Sequence, residues 1–211
     1  GYKKDVDWVE YNIKVPEYVP EKFVVGAELI KKRYNLHSAS LKNKKDILKY
    51  ADDIFKLINN EYKDIYAFSQ LSKKQIMALK KQFALFLRPE YISIVLNSTN
   101  EVVAFGITMP SLAQAQQKAK GKLFPFGFIH IMNALKKNNT VEALLIAVKK
   151  DYQNKGVNGI IFTDIMSAYI KNGINNFEST REMENNVKIN NLWNKFEYRQ
   201  HKRTRCYIKQ L

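Results

Sequence analysis

The chain of 211 residues has one cysteine, Cys206. A lone thiol closes no intramolecular disulfide and cannot build a cysteine-rich zinc site. The three histidines, His37, His130 and His201, stand far apart with no ligand-spaced pair, so no metal is expected. No apolar run approaches the ~18–20 residues that span a bilayer, and no signal-peptide pattern opens the sequence. A reduced, cytoplasmic setting is the expectation. Internal repeats and low-complexity segments are missing too. Acidic residues are in short supply, with 20 Asp+Glu against 35 Lys+Arg, a formal charge of +15 and a pI near 9.7.

Such a balance suits nucleic acid, an anionic membrane surface or a phosphorylated ligand. The lysine pairs, from Lys3-Lys4 to Lys149-Lys150, are nevertheless spread along the whole chain with no long basic tract. That distribution favours an ordinary solvated surface. Hydrophobic residues at 45% and charged residues at 26% exclude a wholly disordered chain. The length fits one large domain, or one domain with an attached segment. The first residue is Gly1 rather than methionine, so an expressed fragment is expected.

Periodicity lays out the elements. Residues 7–15 alternate as a strand, 21–34 read as a short helix, and 36–41 as a weak strand. Ile47, Tyr50, Ile54, Leu57, Ile58 and Tyr62 recur at helical spacing over 46–62. Ser72 and Gln75 have capping-box spacing at the start of a second helix, which Pro89 ends. Residues 91–96 and 102–107 are β-rich runs joined by a polar turn, a hairpin. The polar, helix-prone stretch 111–122 leads through Phe124-Pro125-Phe126-Gly127-Phe128 into a short apolar helix. Residues 141–148 are almost continuously apolar, which predicts a strand buried on both faces. A helix over 156–171, a strand over 174–180, a helix over 186–196 and a tail strand over 203–210 follow. This order predicts an α/β fold, a mixed sheet with helices on both faces.

The most informative stretch runs Val148-Lys149-Lys150-Asp151-Tyr152-Gln153-Asn154-Lys155-Gly156-Val157-Asn158-Gly159. It leaves a strand, turns through polar residues and enters an apolar helix. A helix start directs unpaired backbone N–H groups at one spot, reinforced by the helix dipole. Gly156 and Gly159 let a ligand approach the backbone. Two readings stand at this level: a cradle for phosphate or pyrophosphate, or a plain strand-to-helix turn. It is neither a P-loop nor the dinucleotide glycine pattern.

Gln153-x-x-Gly156-x-Asn158-Gly159 after a strand resembles the acetyl-CoA motif of the GCN5-related N-acetyltransferases. That family reads Gln/Arg-x-x-Gly-x-Gly/Ala, so Asn158 departs from the pattern and Gly159 comes one residue late. Downstream, Asn186-x-x-Ile189-x-x-Leu192-Trp193 and then Glu197-Tyr198 keep the spacing of the family's Asn-x-x-Ala-x-x-Leu-Tyr and Gly-Phe while changing several identities. The resemblance covers about residues 36–211. It implies an acetyltransferase-like domain there, with 1–35 as a connector from a missing upstream half, as in the C-terminal half of a tandem member. It further implies acetyl-CoA as co-substrate and an amine, on a small molecule or a peptide, as acceptor. Backbone amides of Gln153, Asn154, Lys155, Gly156, Val157, Asn158 and Gly159 would hold the pyrophosphate. Ala147 and Val148 would pair with the pantetheine arm, and Asn186 and Trp193 would complete the cofactor site. Glu142, six residues before Val148, matches the family's glutamate base, the alternative being an exposed strand-end carboxylate; Glu178, Ser179 and Thr180 on the neighbouring strand are the runners-up. Trp193 occupies the position often held by an acidic tyrosine, and indole N–H is not acidic in that range. Tyr198 or Tyr152 would have to substitute, or the thiolate leaves unassisted.

Three functions therefore compete. The first is acyl-CoA-dependent N-acyl transfer, the second a catalytically silent CoA-binding or interaction module of the same fold, favoured by Trp193. The third, nucleic-acid binding, has only the charge behind it, since aromatics are not interleaved with a compact basic patch. The 124–128 aromatics are expected to close the core, the alternative being a cover over an acceptor or acyl chain. Cys206 is expected to be a buried, inert thiol.

Overall fold

The computed structural model describes every residue except 84–85, 187–192 and 211. It is a mixed α/β fold with an eight-stranded mixed sheet and flanking helices. The chain divides into two units, one comprising Gly1–Glu17, Pro110–Ala143 and Asn172–Leu211, the other Tyr18–Met109 and Leu144–Lys171. Strand β5 (Thr140–Val148) runs through both.

The second unit is built on the predicted hairpin, β3 (Ile92–Leu96) and β4 (Val102–Pro110), extended by the short β2 (His37–Ser38) on β3. Every residue of β3 and β4 is buried. One face receives helices α2 (Lys44–Lys49) and α3 (Ala51–Glu61), whose Ile47, Ile54, Leu57 and Ile58 pack with Ile92, Ile94 and Phe105. These two helices replace the single predicted one; Asn43 and Asp46 form a capping box at the start of α2. The other face meets α7 (Val157–Lys171), where Ser93 Oγ donates to Asp164 at 2.7 Å and Tyr91 stacks edgewise on Tyr169. Tyr169 in turn donates to Thr108 and Thr108 to the Tyr91 carbonyl, a buried chain with no unsatisfied member. Helix α1 (Glu21–Tyr34) packs on α7, and α4 (Lys73–Phe83) carries the Ser72–Gln75 cap predicted for it.

In the first unit β1 (Lys3–Lys14) has neighbours on both edges. It pairs antiparallel with β6 (Asn176–Glu178) and β7 (Glu182–Met183), and with β8 (Tyr198–Ile208). Residues 1–35, expected as a connector, supply the strand β1, paired on both edges, and the helix α1. A bulge between Lys4 and Asp7 breaks the alternation, so Val6 and Asp7 are both buried. Asp7 accepts from Arg205 at 2.7 and 2.9 Å and from Arg203 at 2.8 Å, and lies 3.1 Å from Lys4. Those donors hold its carboxyl well below the usual carboxylate range, Arg205 contributing most.

Two expectations about exposure are overturned here. Strand β8 starts earlier than predicted and is exposed along nearly its whole length on both faces; Cys206 is exposed with it rather than buried. The aromatic stretch before helix α6 (Gly127–Lys136) does not close the core: Phe124 is 75% and Phe126 69% exposed. The helix predicted over 186–196 falls largely on 187–192, including Ile189 and Leu192, outside the described residues.

Candidate functional site

Strand β5 was predicted to be buried on both faces. It is a strand, but only Val141 and Ala147 are buried and the other positions are partly open. An apolar run reads the same whether it is covered by protein or lines an incompletely filled surface, so composition could not separate the two. Pairing with β6 is parallel and covers only Thr140–Asn176, Val141–Phe177 and Glu142–Glu178. Beyond Glu142 no further β6 pairing is present among the described residues.

In the second unit the remainder of β5 is tied down by side chains. Tyr62 donates its hydroxyl to the Ile146 carbonyl at 2.7 Å, and Gln153 Nε2 donates to the Val148 carbonyl at 2.9 Å and to Glu61 at 3.2 Å. Burial raises the Tyr62 phenol, which keeps it a neutral donor. Lys149 N–H donates to the Val103 carbonyl at 2.8 Å, so the end of β5 is held against β4.

The chain then makes one 3₁₀ turn over Lys150–Tyr152 and reaches α7 through two left-handed residues, Asn154 (φ 57°) and Gly156 (φ 79°). Asparagine tolerates that conformation and glycine favours it. A Cβ at Gly156 would also meet Ile30 Cδ1 at 2.6 Å. Gln153 N–H donates to the Lys150 carbonyl and Gly159 N–H to the Gly156 carbonyl, whereas the N–H groups of Asn154 through Asn158 make only the loose contacts of a turn and no well-formed hydrogen bond among the described residues. The open set is therefore narrower than the 153–159 range. The Lys155 ammonium lies over the rings of Tyr34 and Tyr152, at 5.1 and 5.6 Å, and is engaged in cation–π contact.

In the first unit Glu142 is half-buried and accepts from the Ser111 hydroxyl. Its cross-strand neighbour is Glu178. Trp193 is buried, its ring 5.5 Å from Phe177, and its indole N–H donates to both oxygens of Glu182. Burial pushes the Glu182 carboxyl up to about 7, against the lowering effect of its Trp193 and Ser179 donors. Asn186 sits in a turn, its N–H on the Met183 carbonyl. Sequence reasoning passed over Ser111, Tyr62 and Glu182. Helical spacing marks Tyr62 only as a core-facing position, and no periodic signal marks Ser111 or Glu182; each becomes notable only through the partner that folding delivers.

No protein-family model matches the sequence. Among solved structures, a GCN5-related N-acetyltransferase from Sphaerobacter thermophilus superposes with a TM-score of 0.57 at 7% identity, covering 98% of this chain and 52% of that one. A tandem GNAT protein from the clavulanic acid biosynthesis pathway gives 0.53 at 10% identity, covering 98% and 54%. The fold is that of the GCN5-related N-acetyltransferases. The glucosamine N-acetyltransferase region of a fungal multi-domain β-N-acetylglucosaminidase shares it, with a TM-score of 0.58 at 10% identity and 98% of this chain covered. Among curated proteins, Protein YghO of Escherichia coli strain K12 is 22% identical over 161 residues, which is 74% of this chain and 41% of that protein. The chain thus spans about half the length, or less, of these proteins. On this acetyltransferase fold, the strand that opens at its end and the loop entering α7 are the elements the sequence pattern singled out.

Proposed function

We propose that the chain is an acyl-CoA-dependent N-acyltransferase domain that moves acetyl from acetyl-CoA to an amine. One observation carries the reading most: a partly open apolar strand leads, through one 3₁₀ turn, into a loop with five consecutive amides that have no well-formed partner among the described residues, at a helix start. Free amides at the positive end of a 15-residue helix suit a pyrophosphate. The amides of Asn154, Lys155, Gly156, Val157 and Asn158 hold it in this reading, while Gln153 and Gly159 frame them. Ala147 and Val148 offer backbone groups to the pantetheine arm; the Val148 carbonyl already carries the Gln153 bond, which leaves its N–H as the new donor. The resemblance also assigns Asn186 and Trp193 to the cofactor.

Glu142 is the base that takes the ammonium proton before attack on the thioester. Ser111 orients its carboxylate. The attacking amine forms the C–N bond, the C–S bond breaks, and the thiolate leaves, taking up through solvent the second proton released from the nitrogen; a backbone N–H stabilises the developing oxyanion. The domain is the second half of a tandem arrangement in this reading, with residues 1–35 entering from the first half.

A second reading is a CoA-binding module without turnover. It is favoured by Trp193, whose N–H is committed to Glu182 and supplies no proton to a thiolate. Calorimetric titration with acetyl-CoA tests both, and free-thiol release with a panel of amines separates them. No heat of binding sinks both readings; binding without thiol release on any amine leaves the second.

A further inference from the structure

Between Glu101 and Glu142 the chain contains no acidic residue. Over the same interval it folds into α5 (Ala113–Lys118), a turn, the aromatic loop and α6, all within one unit. Lys118, Lys120, Lys122, Lys136 and Lys137 are exposed, and none is ion-paired among the described residues. Between these lysines stand Leu123, Phe124, Phe126, Phe128, Ile129 and Met132, every one of them exposed. Only Gly127 of α6 is buried.

The loop is also well defined locally. Phe128 N–H donates to the Leu123 carbonyl at 2.8 Å, and Gly127 lies so close to the Lys122 carbonyl that a Cβ would overlap it. The apolar side chains are thus presented outward on a folded support. Clustered exposure of this kind marks an interaction surface rather than random surface hydrophobicity.

We propose that the α5–α6 hairpin docks on an anionic lipid bilayer. Phe124 and Phe126 enter the boundary between headgroups and acyl chains, and the lysines on either side reach the headgroup charges. The occupant follows from charge. A second copy seated on the same face would oppose lysine to lysine with no carboxylate between them. Nucleic acid would match the lysines, but would leave Leu123, Ile129 and Met132 in contact with water or phosphate. Only a surface both anionic and apolar satisfies all of these residues. The inference does not depend on acetyl-CoA binding.

Vesicle co-sedimentation tests it, using the 211-residue protein with equimolar phosphatidylglycerol and phosphatidylcholine and, in parallel, phosphatidylcholine alone. The expected result is partition to the anionic vesicles at least tenfold stronger than to the neutral ones, weakened by salt. Phe124→Ser with Phe126→Ser should lower that partition at least tenfold at an unchanged Tm, since both side chains are exposed. Lys120→Glu with Lys122→Glu should lower it too. No partition to anionic vesicles overturns the proposal, as does partition that the Phe variants leave intact. Phe-dependent binding of a short DNA duplex without vesicle binding makes the occupant nucleic acid. Phe-dependent self-association without vesicle binding makes it a second copy.

Discussion

The indole N–H of Trp193 is shared between the two carboxyl oxygens of Glu182, at 3.2 and 3.1 Å, inside the first unit. Burial is the cause of the raised Glu182 value, and a neutral donor such as the indole offsets it only in part. An acid whose folded pKa lies above its unfolded one favours the folded state while protonated. Stability should therefore fall as pH rises from about 4.3, the unfolded value, through about 7. The loss is on the order of 2 kcal/mol once solvent screening is allowed for. Glu182→Gln should remove this slope and be more stable than wild type at pH 8. Trp193→Phe keeps the ring beside Phe177, deletes the donor and should steepen the slope. Thermal melts from pH 5 to 8 read both, and a Gln variant with an unchanged slope would refute the assignment.

Gly159 separates a ligand effect from a folding effect. A Cβ there meets nothing within 4 Å. Gly159→Ala should raise helix stability by up to about 1 kcal/mol. If a pyrophosphate approaches this backbone, the same change weakens acetyl-CoA binding, so affinity and Tm should move in opposite directions. Gly156→Val should lose both, because its φ is positive and Ile30 blocks the side chain. Lys155→Ala should change affinity less than either, its ammonium being stacked on Tyr34 and Tyr152. A larger loss at Lys155 than at Gly159 would mean a side-chain charge site.

Glu142→Gln should keep acetyl-CoA binding and lose about two to four orders of magnitude in turnover. The loss should fall on kcat rather than on KM for acetyl-CoA, since the carboxylate serves the amine. Ser111→Ala should produce a smaller loss of the same kind, because it removes the group that orients Glu142. Unchanged turnover in Glu142→Gln would remove it as the base.

Asp7 has the opposite pH behaviour from Glu182. Its carboxyl is held low by Arg205, Arg203 and Lys4. The stability it contributes is present above its unfolded value of about 4 and is lost as pH falls below that toward the folded value. Asp7→Asn should lower Tm at pH 7, and the gap to wild type should narrow on acidification. A constant gap from pH 7 to 2 would show that the charge is not what matters.

Much of the scaffold was legible because its signals are local. The hairpin announced itself through a polar turn between β-rich runs, and α7 through glycines after an apolar strand. What escaped was decided by neighbours. Strand β5 looked like a doubly buried strand, yet that role belongs to β3 and β4, because helices cover both faces there. Cys206 was expected to be buried on the tail strand, but both faces of β8 are exposed, so its alternation creates no inside. Phe124 and Phe126 looked like core because apolar residues usually are; their exposure depends on how α5 and α6 fold back. Glu182 carries no signal in a polar run, and only its burial in the fold, with the Trp193 indole on its carboxyl, makes it notable. In the loop, the motif located the turn, but which amides remain free is set by the Gln153 and Gly159 bonds.

Strand β1 runs from Lys3 and pairs with β8 up to the register Lys3–Ile208, so β1 leaves the ribosome long before the strand it pairs with. Contacts separated by nearly the whole chain are entropically costly and form late. During synthesis, residues 18–109 can collapse on their own hairpin while β1 lacks β6, β7 and β8. The nascent strand carries Val6, Val9 and Ile13 on an unprotected edge throughout that interval. Translation speed over residues 172–208 therefore governs how long an open β edge is offered to other chains, and a truncation before Tyr198 would make that exposure permanent.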